Sequence, residues 1–265
     1  MQKLAKQEQA MTAAKPQKTV QDLIKQMEGE IKKALPSTIT PERFTRIVLS
    51  ALSTTPQLAQ CTPRSFLGAM MTAAQLGMEV NTPLGQCYLI PYKNHGVDEV
   101  QFQLGYKGLI DLAYRGGEVQ TVQAHTVYEN DEFEYEYGLE PKLVHKPAKS
   151  DRGAPTHYYA IFRTKSGGYS FEVMSVDDVK AHRDKFSKAA NRGFSPWSTH
   201  FDEMAKKTVL KQALKYAPMS TDTARSMSAD ETIKTEISQD MFAAPDETIT
   251  AEFQEEQSET PAEQQ

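Results

Sequence analysis

The chain has 265 residues, enough for one large domain or two small ones with a sizeable buried core. Two cysteines, Cys61 and Cys87, without CxxC spacing argue against a disulfide framework or a cysteine zinc site, and no stretch approaches the ~20 apolar residues of a membrane-crossing helix. The net charge of −5 is uneven: residues 230–265 hold eleven acids against one base, Lys234, which leaves +5 on residues 1–229 and points to an anionic partner for that part.

Residues 1–18 are polar and basic, without the apolar run of a signal peptide; they read as disordered, and the chain as cytoplasmic. "TVQDLIKQMEGEIKKAL" reads as a helix capped by Thr19, with Val20, Leu23, Ile24, Met27 and Ile31 on one face. "TPERFTRIVLSAL" and "TPRSFLGAMMTAAQLG" each open on a Thr cap followed by Pro at the first helical position, and Gly77 closes the second. Two strand-like runs follow, Gln86–Pro91 and Val100–Leu104, joined as a hairpin by a polar loop. "YKGLIDLAYRGG" is a short helix ended by Gly116. "VQTVQAHTVYENDEFEYEYG" reads as a strand, a turn at Glu129–Asp131 and a second strand. "THYYAIFRTKSGGYSFEVM" is a hairpin turning at Ser166–Gly168, and "SVDDVKAHRDKF" opens a helix with a Ser175–Asp178 capping pair. A polar loop through Asn191–Pro196 leads to "FDEMAKKTVLKQALKYAP", an amphipathic helix capped by Thr199 and stopped before Pro218. Its Lys207, Lys211 and Lys215 form one stripe at four-residue spacing, at the margin of the apolar face. Past Ser226 the periodicity fades, and residues 227–265 read as an acidic, disordered tail. Local connections and antiparallel hairpins make the fold class α+β.

The motifs for bond-making chemistry fail on inspection. "AKKTVL" resembles the end of the phosphate-binding loop GxxxxGK[ST], but Phe201 and Lys206 stand where its glycines should be. Without them the backbone amides cannot wrap a phosphate. The six histidines make no metal-binding pair at helical spacing. Asp131, Glu132, Glu134 and Glu136 could serve a metal-dependent nuclease. On a strand, though, the three glutamates alternate with Phe133, Tyr135 and Tyr137 and form a solvent face. Basic and aromatic residues interleave in "YLIPYKNHGVDEVQFQLGYKG" and "HRDKFSKAANRGFSPW", the mixture a single nucleic-acid strand requires of its cradle. A basic adaptor for an acidic protein is the remaining alternative.

"LGQCYLIPYK", "QFQLGYKGLIDLAYRGG" and "DEMAKKTVLKQALKY", in this order and spacing, resemble the RecT family of phage and prophage single-strand annealing proteins over roughly residues 20–220. The resemblance implies a Redβ-like fold: N-terminal helices, a β-hairpin, a short helix, a three-stranded antiparallel sheet and a long C-terminal helix. It places the annealing and oligomerisation domain at 19–226. It implies binding of single-stranded DNA and pairing of complementary strands without ATP, in homologous recombination. The implied partners are the annealed duplex, further copies in a ring or helical filament, an exonuclease and a host single-strand-binding protein. No cofactor is implied, with Mg2+ at most screening charge. Matching positions nominate Lys93, Gln103, Tyr106, Lys107 and Arg115 for DNA in the first block. In the second they nominate Lys185, Lys188, Trp197, Lys206, Lys207, Lys211 and Lys215. Arg64 and Ser65 are weaker candidates.

Overall fold

The computed structural model describes residues 19–187 and 195–246, so the N-terminal segment 1–18, Lys188, most of the loop after it and residues 247–265 lie outside the description. The described residues form a mixed α+β structure. None of their helices is long and apolar enough to cross a membrane.

The first helical run is two helices, α1 (Val20–Gln26) and α2 (Glu28–Ala34), which meet at Met27 beside Gly29, the weakest helix former in the run. Thr19 and Asp22 cap α1 reciprocally. Next come α3 (Pro41–Thr54) and α4 (Pro63–Leu76), with the expected Thr caps and Pro starts. The Ser65 hydroxyl accepts the Val100 amide at 2.9 Å and is fully buried, so Ser65 anchors α4 to the hairpin and is withdrawn as a DNA contact. Arg64 beside it is exposed.

β1 (Cys87–Asn94) and β2 (Val97–Leu104) form the hairpin, longer than its apolar runs suggest. They pair from Cys87↔Leu104 to Asn94↔Val97. The turn is His95–Gly96, both at positive φ (47° and 76°), the two-residue geometry that matches strand twist. α5 (Tyr106–Arg115) follows. β3 (Val119–Tyr128), β6 (Pro155–Thr164) and β7 (Tyr169–Ser175) make the three-stranded antiparallel sheet, in the order β3-β6-β7. The strand beginning at Glu132 does not pair with β3. It is β4 (Glu132–Glu136), paired with β5 (Lys142–Lys146) in a separate two-stranded arm.

Then come α6 (Val176–Phe186), with its Ser175–Asp178 capping box, a short α7 (Pro196–Thr199), and α8 (Phe201–Leu214). His200, not Thr199, is the N-cap of α8, and it makes no side-chain capping bond. The amphipathic reading of α8 also needs correction. The helix lies between the sheet, α5 and α6 and buries residues on most of its circumference, Lys207 and Thr208 included. On its sheet side, the Tyr158 hydroxyl donates to Asp202.

α9 (Thr221–Ser228) is followed by a segment that composition assigns to a disordered tail. For residues 229–246 that reading does not hold. Ile233 and Met241 have no exposed surface, and Lys234 is buried with its ammonium on the Ala244 carbonyl (2.7 Å) and Asp246 (2.8 Å). Thr232 joins the free edge of β2: the Phe102 amide donates to the Thr232 carbonyl, and the Glu231 amide donates to the Phe102 carbonyl, each at 2.9 Å. The segment crosses α4 at Gly68, where an added Cβ would stand 1.9 Å from the Lys234 carbonyl oxygen. Residues 229–246 are thus a strap bound to the body by backbone pairing, burial and ion pairs.

Candidate nucleic-acid interface

α8 runs between two cavities. One, of about 390 Å³, opens between α8, α7 and the β1–β2 hairpin, and Tyr88, Gln103, Tyr106, Glu203, Met204 and Lys207 are among its lining. The other, of about 290 Å³, opens between α8 and α6, with Arg183, Trp197, Met204, Lys207, Lys211 and Lys215 in its lining. Met204 and Lys207 line both, so the two cavities sit side by side along α8 with these two side chains as their shared wall, and together they make a track with two compartments. The two nominated blocks, far apart in sequence, meet along this track.

Their side chains differ in what they can do there. Lys107, Lys185 and Lys215 are exposed, and none pairs with a carboxylate among the described residues. Lys215 donates to the Gln212 amide oxygen (2.6 Å), and the Lys185 ammonium lies 5.3 Å from the Phe186 ring centroid. Lys93 is exposed near the hairpin turn. The half-buried Lys206 holds its ammonium 5.9 Å from the Tyr106 ring centroid, linking α8 to the first turn of α5.

Lys207 is different. Its side chain is 3% exposed, and its ammonium donates to Asp230 Oδ1 at 2.8 Å and Glu231 Oε1 at 3.1 Å. Lys211 takes the other Asp230 oxygen, also at 2.8 Å. The Leu104 amide donates to Asp230 Oδ1 as well, at 2.8 Å. One buried carboxylate therefore binds the edge of β2 and two lysines of the stripe. Burial alone would raise its carboxyl pKa; the ammoniums of Lys207 and Lys211 outweigh that and hold it below the usual carboxylate range. Burial would likewise lower the Lys211 ammonium, and Asp230 with Glu231 raises it instead. Glu231 reaches Lys207 from a left-handed backbone (φ 64°), a conformation that costs a non-glycine residue energy. His182, on the α6 wall, is held below its ordinary pKa by burial first and then by Lys211 and Lys215, a sign of positive potential in this half of the track.

Three nominations take structural positions. Arg115 pairs with Asp111 at 2.6 Å and donates to the Leu76 carbonyl, closing the end of α4. Trp197 is buried and packs on Phe201 with centroids 5.8 Å apart, so it offers no open stacking face. Gln103 is buried, with its amide directed at Met204. Lys188 lies outside the described residues.

The acids that could have served a metal are separated. The Asp131 side chain has no exposed surface and accepts from Arg152 (2.6 Å), the Tyr128 amide (3.0 Å) and the Ala148 amide (2.9 Å), with His145 Nε2 3.0 Å away. The Arg152 hydrogen bonds hold its carboxyl far below the ordinary range, where it pins the β4–β5 arm to the sheet. Glu132 pairs with Lys146, while Glu134 and Glu136 face solvent.

Glu231, in the lining of the α6-side cavity, and Asp230, which pairs with Lys207 and Lys211, belong to the stretch that composition assigns to the tail, so sequence reasoning misses them. The available signal is Lys207 itself, which stands next to buried helix positions and so needs a carboxylate.

A family model described as the RecT family matches residues 42–247, a range that runs through the strap. The chain is 41% identical over 209 residues to Protein RecT of Escherichia coli (strain K12), covering 77% of each chain. It is 31% identical over 172 residues to Uncharacterized protein YqaK of Bacillus subtilis (strain 168), covering 65% of this chain and 57% of that protein.

Proposed function

The chain belongs to the RecT family, proteins of recombination and strand annealing, and on that premise we propose that it binds single-stranded DNA along the track over α8 and anneals it to a complementary strand without ATP. The observation that carries this reading is that residues of both nominated blocks, Gln103 and Tyr106 of the first and Trp197, Lys207, Lys211 and Lys215 of the second, line adjacent cavities that share Met204 and Lys207. Lys93, Lys107, Lys185, Lys206 and Lys215 neutralise the backbone of one strand and hold it extended. The complementary strand then pairs with its bases, and stacking of about 1.4 kcal/mol per step supplies the driving force. Nothing in this cycle needs hydrolysis. Further copies of the chain extend the track, so affinity rises with strand length. Divalent cations screen the incoming strand, and an exonuclease or single-strand-binding protein supplies and hands over the substrate.

Complementary labelled oligonucleotides, mixed with the full chain in the absence of ATP, test the proposal. Pairing should be much faster than without protein and should slow as salt rises. Unchanged pairing would reject annealing and favour the adaptor, and shortened strands in the presence of magnesium would favour the nuclease.

A further inference from the structure

The cavity on the hairpin side of α8 differs in chemistry from the cationic half of the track. Its walls are largely apolar, and two phenol rings, Tyr88 and Tyr106, face it with Met204. Tyr88 is 38% exposed although it sits on a strand of the core hairpin, opposite Gln103. Its ring lies against Gly105, where an added Cβ would stand 3.2 Å from Tyr88 Cε2. Tyr88, Tyr106 and Glu203 all line the cavity, and burial raises the Tyr88 hydroxyl pKa, with Glu203 and Tyr106 adding to it. The volume, about 390 Å³, lies in the range of small-molecule sites, roughly 300–1,000 Å³.

The charges around the cavity narrow the occupant. Cations stand at its rim: Lys206 over the Tyr106 ring, and Lys107, whose Cδ would lie 3.5 Å from a Cβ placed on Gly85, next to the Tyr88 hydroxyl. The lining itself holds the exposed carboxylate of Glu203, which has no hydrogen-bond or ion-pair partner among the described residues. A carboxylate repels a phosphate but accepts a hydrogen bond from an exocyclic amine, as acidic side chains do from cytosine N4. An apolar, aromatic-walled site with phosphate-binding cations outside it and an amine acceptor within it matches one nucleotide unit of a strand.

We propose that this cavity takes one unstacked nucleobase of the bound strand, stacked on Tyr88 or Tyr106, and favours bases carrying an exocyclic amine, cytosine, adenine and guanine, over thymine, through Glu203. The proposal rests on the single-strand binding proposed above. A base lodged there interrupts the stack of the held strand while its neighbours stay open for pairing.

The test is equilibrium binding of the full chain to short oligonucleotides of equal length: oligo-dC, oligo-dT and an abasic backbone. The wild type should hold the abasic strand at least about fivefold more weakly than oligo-dC, in line with the energy of one base on an aromatic face. Tyr88→Ala should remove most of that difference without changing the salt dependence. Glu203→Ala, at an exposed position, removes the acceptor and should level the preference for oligo-dC over oligo-dT. Equal affinity of the wild type for abasic and base-bearing strands would overturn the base site while leaving strand binding intact. So would an undiminished difference in a folded Tyr88→Ala protein. Should that variant fail to fold by circular dichroism, an unchanged oligo-dC preference in Glu203→Ala overturns the proposal instead. No binding to any strand would reject the underlying reading.

Discussion

Replacing Asp230 by alanine is expected to lower the unfolding free energy by about 3–5 kcal/mol, the cost of breaking a buried ion pair from one side. The substitution leaves the Lys207 ammonium, 3% exposed, with Glu231 alone, and strips the Leu104 amide of its acceptor. Urea denaturation should show a lower midpoint. Lys207→Met together with Asp230→Ala should cost less than the two single changes added, because the partners share one interaction. An unmoved midpoint in Asp230→Ala would mean that the strap does not hold α8. The pH dependence has a definite sign. The Asp230 carboxyl is held below its ordinary value, so its contribution is complete above the unfolded pKa of about 3.9. It is lost as pH falls through the folded value, and from neutral pH down to about 5 it should not change. Ending the chain at Ser228 removes this carboxylate with buried Ile233 and Met241, and should destabilise the body at least as strongly.

The second large effect separates binding from folding. Lys107, Lys185 and Lys215 are exposed and form no ion pair among the described residues, so their neutralisation removes charge without exposing a core. The combined Lys107→Gln, Lys185→Gln, Lys215→Gln variant should fold within about 0.5 kcal/mol of the wild type. Its affinity for single strands should fall by about tenfold or more. The slope of log affinity against log salt should shrink by about 2, close to 0.7 for each phosphate no longer neutralised. Lys207→Gln should do the reverse, weakening the fold while leaving the slope of the folded protein nearly unchanged. Fluorescence anisotropy across a salt series reads both. A triple variant with the wild-type slope would place the DNA elsewhere.

The lysine stripe shows where reading the sequence stops. Spacing alone places Lys207, Lys211 and Lys215 on one side of α8, and a stripe suggests three equal contacts. The structure divides them: Lys207 buried on Asp230, Lys211 shared between ion pair and cavity, Lys215 open. Nothing local encodes that division, because the deciding carboxylate lies 23 residues beyond Lys207 in a stretch without periodicity. The same holds for β4, whose partner strand β5 is a short alternating run with little to mark it in the sequence. Features set by neighbours in the chain were legible: the Thr-Pro helix starts, the Ser175–Asp178 capping box and the β6–β7 turn. Features set by encounters across the chain were not.

The strap also gives the protein an order in time. Asp230 meets the Leu104 amide across 126 residues of sequence, and Thr232 completes the hairpin edge from a similar distance. Contacts of such separation close late, after the loop entropy between them has been overcome. During synthesis, the helices, the hairpin and the three-stranded sheet all emerge before the residue that neutralises Lys207. Until then the half-made chain presents a bare lysine and an unpaired strand edge, the features that invite wrong partners. Asp230 and Thr232 close both, so the track acquires its final charge pattern only after they have emerged.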